Sequence, residues 1–150
     1  MRLPTMRPMR VLLTGSAGYV GSVARPLLEA AGHEVVGLDT CLYGGCDLDP
    51  LRTAPPELEL DVRDVEEEHL DGVDAVVHLA ASPSVTTPWD SVLHNNLIGT
   101  YAVYEAARLC GVGAVIFASS NHTIGGYELD GLPAIYDLND PRCYDHNAEI

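Results

Sequence analysis

Two rhythms of apolar residues alternate along the chain. Residues 10–14 (Arg-Val-Leu-Leu-Thr) form a short apolar run bounded by polar residues, the pattern of a buried strand. From Gly21 the spacing changes. Val20, Val23, Ala24, Leu27, Leu28 and Ala31 recur at intervals of three and four, which predicts a helix with that stripe turned inward. Pro26 lies inside it and is expected to kink it or weaken one turn, and Gly32 is placed to end it. A second strand is predicted over 34–39, a loop over 40–56, a short third strand over 58–62 and a short acidic helix over 64–70. Residues 73–79 are apolar along most of their length, as a strand covered on both faces should be. A long helix is predicted over 89–109, with Val92, Leu93, Leu97, Tyr101, Tyr104 and Ala107 on its buried stripe and Gly111 or Gly113 ending it. A fifth strand follows over 114–120, and no periodicity is visible from Gly125 onward.

Strands alternating with helices imply an α/β fold, a parallel sheet with crossover helices on both faces. The expected form is a Rossmann-type doubly wound sheet, strand order 3-2-1-4-5, truncated after strand 5. That order gathers the carboxyl ends of strands 1, 4 and 5 around one crevice. The chain is 150 residues long, enough for one domain. The expected division is a loose tail over 1–8, a nucleotide-binding domain over 9–125 and an acidic segment over 126–150 that leads toward a missing C-terminal part.

Charge narrows the partners. The formal net charge is −14, which argues against nucleic acid or an anionic membrane surface. Nine carboxylates between residues 57 and 74 against Arg63 read mostly as a solvated face. No apolar run approaches the roughly 20 residues that span a bilayer, and no apolar segment follows the basic N-terminus, so a cytoplasmic protein is expected. Cys41, Cys46, Cys110 and Cys143 form no CxxC pair. Free thiols are expected rather than a zinc site at Cys41 and Cys46, and no metal is called for. All eight basic residues are arginine, so no mechanism here can use a lysine of this chain.

The chemistry concentrates at the end of the first strand. Gly15-Ser-Ala-Gly18-Tyr-Val-Gly21 leaves that strand and opens a helix. Glycines there let backbone N–H groups approach a pyrophosphate closely, and the helix N-terminus adds the positive end of its dipole. Asp39 closes the second strand, 18 residues past Gly21, where a carboxylate accepts hydrogen bonds from ribose hydroxyls. Its charge would repel a 2′-phosphate, and Thr40, Cys41 and Leu42 supply no arginine to hold one, so NAD is expected over NADP.

With these residues the GxxGxxG spacing resembles the extended short-chain dehydrogenase/reductase family of nucleotide-sugar epimerases, dehydratases and sugar dehydrogenases. Four further stretches agree in order: Asp61-Val62, His78-Leu79-Ala80-Ala81, Asn96-Leu-Ile-Gly99-Thr100 and Phe117-Ala-Ser119-Ser120. The resemblance implies that Tyr19 and Val20 lie over the cofactor, that Asp61 and Val62 lie beside the adenine, and that the backbone of Leu79, Ala80 and Ala81 runs along the dinucleotide. It further implies that Asn96 supports the central sheet at the cofactor site and that Ser120 is the catalytic serine. Ser84-Val-Thr-Thr-Pro88-Trp89 and Phe117-Ala-Ser-Ser-Asn121-His122-Thr-Ile-Gly125 look like uronate dehydrogenases, which oxidise the anomeric carbon of a uronic acid with NAD. By that likeness Ser84, Asn121 and His122 contact the sugar.

The family's hydride transfer uses a tyrosine whose pKa is lowered by a lysine four residues on. Tyr127, Tyr136 and Tyr144 follow Ser120 here, but no lysine can follow them. The expectation is therefore the N-terminal portion of an NAD-dependent sugar oxidoreductase, inactive by itself and forming a homodimer when whole. The acidic segment after Tyr127 departs from the uronate dehydrogenases and keeps a neutral sugar or a nucleotide sugar open. A nucleotide-sugar epimerase or dehydratase and a non-catalytic NAD-binding module are the alternatives.

Overall fold

A computed structural model describes residues 7–43 and 55–119. The chain divides into two compact units, Met1–Phe117 and Ala118–Ile150. The first holds a five-stranded sheet of β1 (Arg10–Thr14), β2 (Glu34–Asp39), β3 (Leu58–Glu59), β4 (Ala75–His78) and β5 (Ala114–Phe117), in the order β3-β2-β1-β4-β5. Every neighbouring pair is parallel. Helix α1 (Gly21–Ala30) joins β1 to β2. The connection from β4 to β5 is helical from Trp89 to Leu109: α2 (Trp89–Ser91), a π-helical stretch (Val92–Ile98) and α3 (Gly99–Leu109). Among the described residues no helix is long and apolar enough to cross a membrane.

Helix α1 runs through Pro26 and ends where expected, with Gly32 in the left-handed region at φ +93° just past the cap residue Ala31. Its inward face is not the predicted one. Val20, Val23 and Leu27 are exposed, while Gly21 and Arg25 are buried. Arg25 reaches the edge of the sheet. It donates to Glu29 Oε1 at 3.0 Å, to the Pro55 carbonyl at 3.1 Å and to Glu57 Oε1. Glu57 Oε2 in turn accepts from Gly37 N at 2.6 Å. A Cβ at Gly37 would stand 2.9 Å from Arg25 Nη1, so the strand is bare where the guanidinium crosses it. Four hydrogen bonds thus join these groups, and burial of the charge is tolerated because it is paired.

In the long helix, Ala107 alone of the predicted stripe is fully buried. Val103, Ala106 and Ala107 pack with Leu12, Leu38, Val62, Val65, Leu70, Val73 and Val76 in the core, whereas Leu97, Tyr101 and Tyr104 are exposed. Small residues on the inner face explain this. At Gly99 an added Cβ would stand 2.7 Å from Val62 Cγ2, so the helix lies too close to admit an aromatic ring there.

Two predicted elements are corrected. The third strand is only Leu58–Glu59, because the Asp61 carboxylate accepts from Arg63 N at 2.9 Å and caps a 3-10 turn (Val62–Asp64) that ends the extended chain. The acidic helix is replaced by that turn and a second one, Glu67–Leu70. Its two apolar anchors, Val65 and Leu70, are five residues apart, a spacing that puts no common face on an α-helix. Strands β4 and β5 are shorter than predicted at both or one of their ends, 75–78 and 114–117.

The Arg25 cluster makes a pH-dependent contribution with a definite sign. Burial works against the charged Glu57 carboxylate, but the hydrogen bonds from Arg25 and Gly37 outweigh it and hold the carboxyl below its usual range. That stabilisation is complete above the unfolded glutamate pKa of about 4.3 and is lost as pH falls through the depressed folded value. Arg25→Met is expected to lower stability by about 1–2 kcal/mol at pH 7, Glu57 being half exposed. In urea titrations the gap between the two proteins should close below about pH 4. A gap that stays constant down to pH 3 would contradict this account.

Candidate functional site

The registers bring Thr14, Leu38, His78 and Phe117 side by side, so β1, β2, β4 and β5 end along one edge of the sheet. The glycine turn sits on that edge. Gly15 N and Ser16 N donate to the Leu38 carbonyl at 2.8 and 3.3 Å, and Gly18 N donates to the Gly15 carbonyl at 3.1 Å. Gly15 has φ +70°, and a Cβ there would stand 2.8 Å from Ala80 N. A Cβ on Gly21 would fall onto the Gly15 carbonyl oxygen. The first turn of α1 is therefore pressed against the end of β1 with no side chain between. Among the described residues nothing accepts from the backbone N–H of Tyr19 or Val20. These lie at the start of α1, where first-turn N–H groups lack helical partners and the dipole is positive. The side chains of Tyr19 and Val20 are exposed.

Asp39 is half-buried at the end of β2. Its Oδ2 accepts from Ala17 N at 3.0 Å and its Oδ1 from Cys41 N at 2.8 Å. One carboxylate thereby ties the glycine turn to the chain leaving β2. Each oxygen retains acceptor capacity for a hydroxyl. The bend continues through Cys41 at φ +55°. Burial, with the charges of Asp39 and Glu59, pushes the Cys41 thiol up, so it stays protonated at neutral pH. Cys41 and Cys110 are free, and among the described residues no cluster of three metal-ligating side chains occurs. Cys46 and Cys143 lie outside the described residues.

The remaining expected residues fall into three groups. Val62 is buried in the core against Gly99, and Asp61 is held by Arg63 through Nε at 2.9 Å and Nη2 at 2.7 Å. Those hydrogen bonds keep the Asp61 carboxyl below its usual range despite partial burial. What this pair offers a ligand is thus chiefly its backbone. Leu79 and Ala80 are half-buried against the Gly15 turn and Ala81 is exposed. Asn96 engages both backbone groups of Ser82, accepting from its N–H at 2.8 Å and donating to its carbonyl at 3.1 Å. Ser84 is exposed, and its hydroxyl accepts from Thr86 N at 3.2 Å within a tight turn. Ser120, Asn121, His122 and the tyrosines at 127, 136 and 144 lie outside the described residues.

Several contributors escaped the sequence reading. Asn95 Nδ2 donates to Ser82 Oγ at 2.9 Å, so adjacent asparagines hold one serine. The π-helical stretch that contains them widens the turn and is the kind of distortion found at functional sites. Thr14 Oγ1 accepts from Leu79 N and Ala80 N at 3.2 and 3.3 Å, and His78 lies behind it. A polar residue ending each of two adjacent apolar strands was the available signal.

The parts fit a dinucleotide. The turn is a cradle that a Cβ on Gly15 or Gly21 would fill, the N–H groups of Tyr19 and Val20 have no acceptor among the described residues, and the Asp39 oxygens keep capacity to accept from hydroxyls. Arg25, the basic residue on α1, is already engaged by Glu29 and Glu57, which leaves backbone groups and the helix dipole as the anion-binding elements described here.

Comparison with known proteins identifies the family. A sequence profile of the NAD dependent epimerase/dehydratase family matches residues 11–147. An NAD-dependent glucose-6-phosphate dehydrogenase from Haloferax volcanii is 40% identical over 137 residues, covering 84% of this chain and 49% of that protein. A uronate dehydrogenase from Pseudomonas syringae pv. tomato is 38% identical over 136 residues, covering 89% and 46%. Among solved structures, Thermus thermophilus UDP-glucose 4-epimerase in complex with NAD aligns with a TM-score of 0.62 at 33% identity, covering 75% of this chain and 38% of that one. The chain spans about half the length of the relatives it matches. With the glycine turn, the strand order and the profile in agreement, the chain belongs to the NAD-dependent epimerase/dehydratase family.

Proposed function

We propose that this chain is the cofactor-binding half of a cytoplasmic NAD-dependent oxidoreductase that oxidises a uronic acid or a related sugar at a hydroxyl. The carrying observation is the close approach of Gly21 to the Gly15 carbonyl beside the Asp39 carboxylate, which sets a bare helix N-terminus next to a hydroxyl acceptor. Residues 9–125 form the cofactor domain in this reading, 1–8 a tail, and 126–150 the lead into the remainder of the enzyme. NAD, when bound, supplies the hydride acceptor. Gly15, Gly18 and Gly21 admit its phosphates, Tyr19 and Val20 cover it, and Leu79, Ala80 and Ala81 line it. Asp61 and Val62 border the adenine through their backbone, and Asn96 holds the lining loop through Ser82. Ser120 orients the sugar hydroxyl, and Ser84, Asn121 and His122 bond other sugar oxygens. The base that removes the hydroxyl proton lies outside these 150 residues, since no lysine is present to activate a tyrosine. The exposed stripe of Leu97, Tyr101 and Tyr104 supports a homodimer of the whole enzyme.

A second reading, a nucleotide-sugar epimerase, is favoured by the likeness to UDP-glucose 4-epimerase. A substrate panel of galacturonate, glucuronate, neutral aldoses and UDP-sugars, given to a complete enzyme carrying this half, decides between them. Net NADH formation with a free sugar supports the dehydrogenase; isomerised UDP-sugar without NADH overturns it.

Three outcomes are expected. Calorimetric titration should give tighter binding of NAD than of NADP, and Asp39→Ala should weaken NAD binding by about 1–3 kcal/mol, the value of a hydrogen bond to a charged group. Equal binding of both dinucleotides would contradict the role given to Asp39. In the complete enzyme, Asn121→Ala and His122→Ala should raise KM for the sugar while NAD affinity is unchanged; loss of NAD binding in a folded variant would move them to the cofactor site. The 150-residue chain alone should form no NADH at pH 7, because a positioned base contributes roughly 10²–10⁴-fold to such a step. Turnover near about 10 s⁻¹ would mean that a residue of this chain, His122 first among them, is the base.

A further inference from the structure

His78 ends β4 with 1% of its surface exposed, and burial alone pushes its pKa down. Its ring lies 5.7 Å from that of Phe117, and Phe117 meets Tyr104 edge-on at 6.4 Å. Both ring nitrogens are engaged. Nδ1 is 2.6 Å from Thr14 Oγ1, and Nε2 is 3.1 Å from Thr100 Oγ1.

The direction of each hydrogen follows from the backbone. The N–H groups of Leu79 and Ala80 can only donate, and both reach Thr14 Oγ1, Leu79 N sharing its hydrogen between that oxygen and the Thr14 carbonyl, each at 3.2 Å. That oxygen has two lone pairs and one hydrogen. With the lone pairs taken, the hydrogen goes to His78 Nδ1. Nδ1 is then the acceptor of a neutral ring, the proton sits on Nε2, and Nε2 donates to Thr100. A threonine on β1, a histidine on β4 and a threonine on α3 therefore form one directed chain that ends on two backbone amides. Those amides belong to the segment that touches the glycine turn: a Cβ on Gly15 would stand 2.8 Å from Ala80 N and 3.1 Å from the Leu79 carbonyl carbon. A small shift of Ala80 would close or open the cradle.

We propose that His78 is a positioning residue for the cofactor cradle: its unprotonated Nδ1 fixes the rotation of the Thr14 hydroxyl, and that hydroxyl holds Leu79 and Ala80 at their distance from Gly15. The cofactor part of this inference rests on the NAD reading above; the positioning part does not. Replacing the ring nitrogens would leave the hydroxyl free to turn its hydrogen toward Ala80 N, whose one acceptor among the described residues is that oxygen, whereas Leu79 N keeps the Thr14 carbonyl. His78→Phe keeps a ring against Phe117 and removes both nitrogens. Thr14→Val removes the hydroxyl and keeps the shape. Thr14→Ser keeps the hydroxyl.

The test uses the full chain. Nitrogen NMR of the unaltered protein at pH 7 should show His78 as the neutral tautomer protonated on Nε2; a proton on Nδ1, or an imidazolium, overturns the relay before any variant is made. The amide of Ala80 should exchange with solvent about tenfold faster in His78→Phe and in Thr14→Val, with Thr14→Ser at the original rate and the Leu79 amide, held also by the Thr14 carbonyl, little changed. Unchanged exchange in both variants overturns the proposal, and the tautomer measurement stands even where a variant fails to fold. For NAD, the two changes should each weaken binding about tenfold, and the double variant no more than either alone, since both break one chain. Losses that multiply would show independent structural effects and overturn the coupling. Failure of the unaltered chain to bind NAD would reject the functional reading, while tautomer and exchange would still decide the positioning of Ala80.

Discussion

The close approach of Gly21 to the Gly15 carbonyl is the constraint on which the rest of this unit depends. No Cβ fits between them, so the start of α1 must lie against the end of β1. A helix seated there leaves at a fixed angle to the sheet and delivers the chain to β2, parallel to β1. The turn is then held from both neighbours: Leu38 and Asp39 on β2 accept its N–H groups, and Ala80 beyond β4 backs its first glycine. The residues of the candidate cradle also tie β1 to its two neighbours in the sheet. Site and architecture are here the same set of contacts.

Electrostatics is arranged around that constraint more locally than the overall charge suggests. Of the carboxylates between residues 57 and 74, three are structural. Glu57 pairs with Arg25 and Gly37 N, Asp61 grips Arg63, and Asp74 accepts from Arg10 N at 2.8 Å and from Arg7 at 3.1 Å. Each stands at the end of a strand or turn, where backbone N–H groups need an acceptor. Among the described residues, Asp39 is the carboxylate bonded to the glycine turn, and its oxygens are already drawn toward Ala17 and Cys41. An acidic protein can therefore still present an anion-binding surface, because backbone dipoles act at short range and distant surface charges are screened.

Apolar periodicity located the strands and helices but misjudged which faces are buried. Val23 and Leu27 on α1, and Leu97, Tyr101 and Tyr104 on the long helix, have helical spacing and lie exposed. The buried faces carry Gly21 and Arg25, and Gly99, Val103, Ala106 and Ala107. A helix that packs tightly against a sheet wants small residues or a fully paired polar one at the contact, and neither stands out as an apolar stripe. The third strand and the acidic helix went wrong for a related reason. At Asp61 a side-chain acceptor competes with the sheet ladder and wins, and such competition depends on geometry as well as residue type.

What the amino-acid order determined by itself is whatever rests on local chemistry: the glycine turn after an apolar strand, the carboxylate closing the next strand, the strand–helix alternation from which the parallel order 3-2-1-4-5 is the natural expectation, the absence of lysine, and the family likeness carried by motifs at set spacing. What only the tertiary structure decided is whatever rests on residues distant in sequence meeting in space. Arg25 finds Glu57 across 32 positions, Asn95 and Asn96 close on Ser82 through a π-helical turn, and Thr14 and His78 meet across 64. No periodicity or spacing encodes those meetings. They follow from strand register and helix distance, which exist only once the sheet has formed.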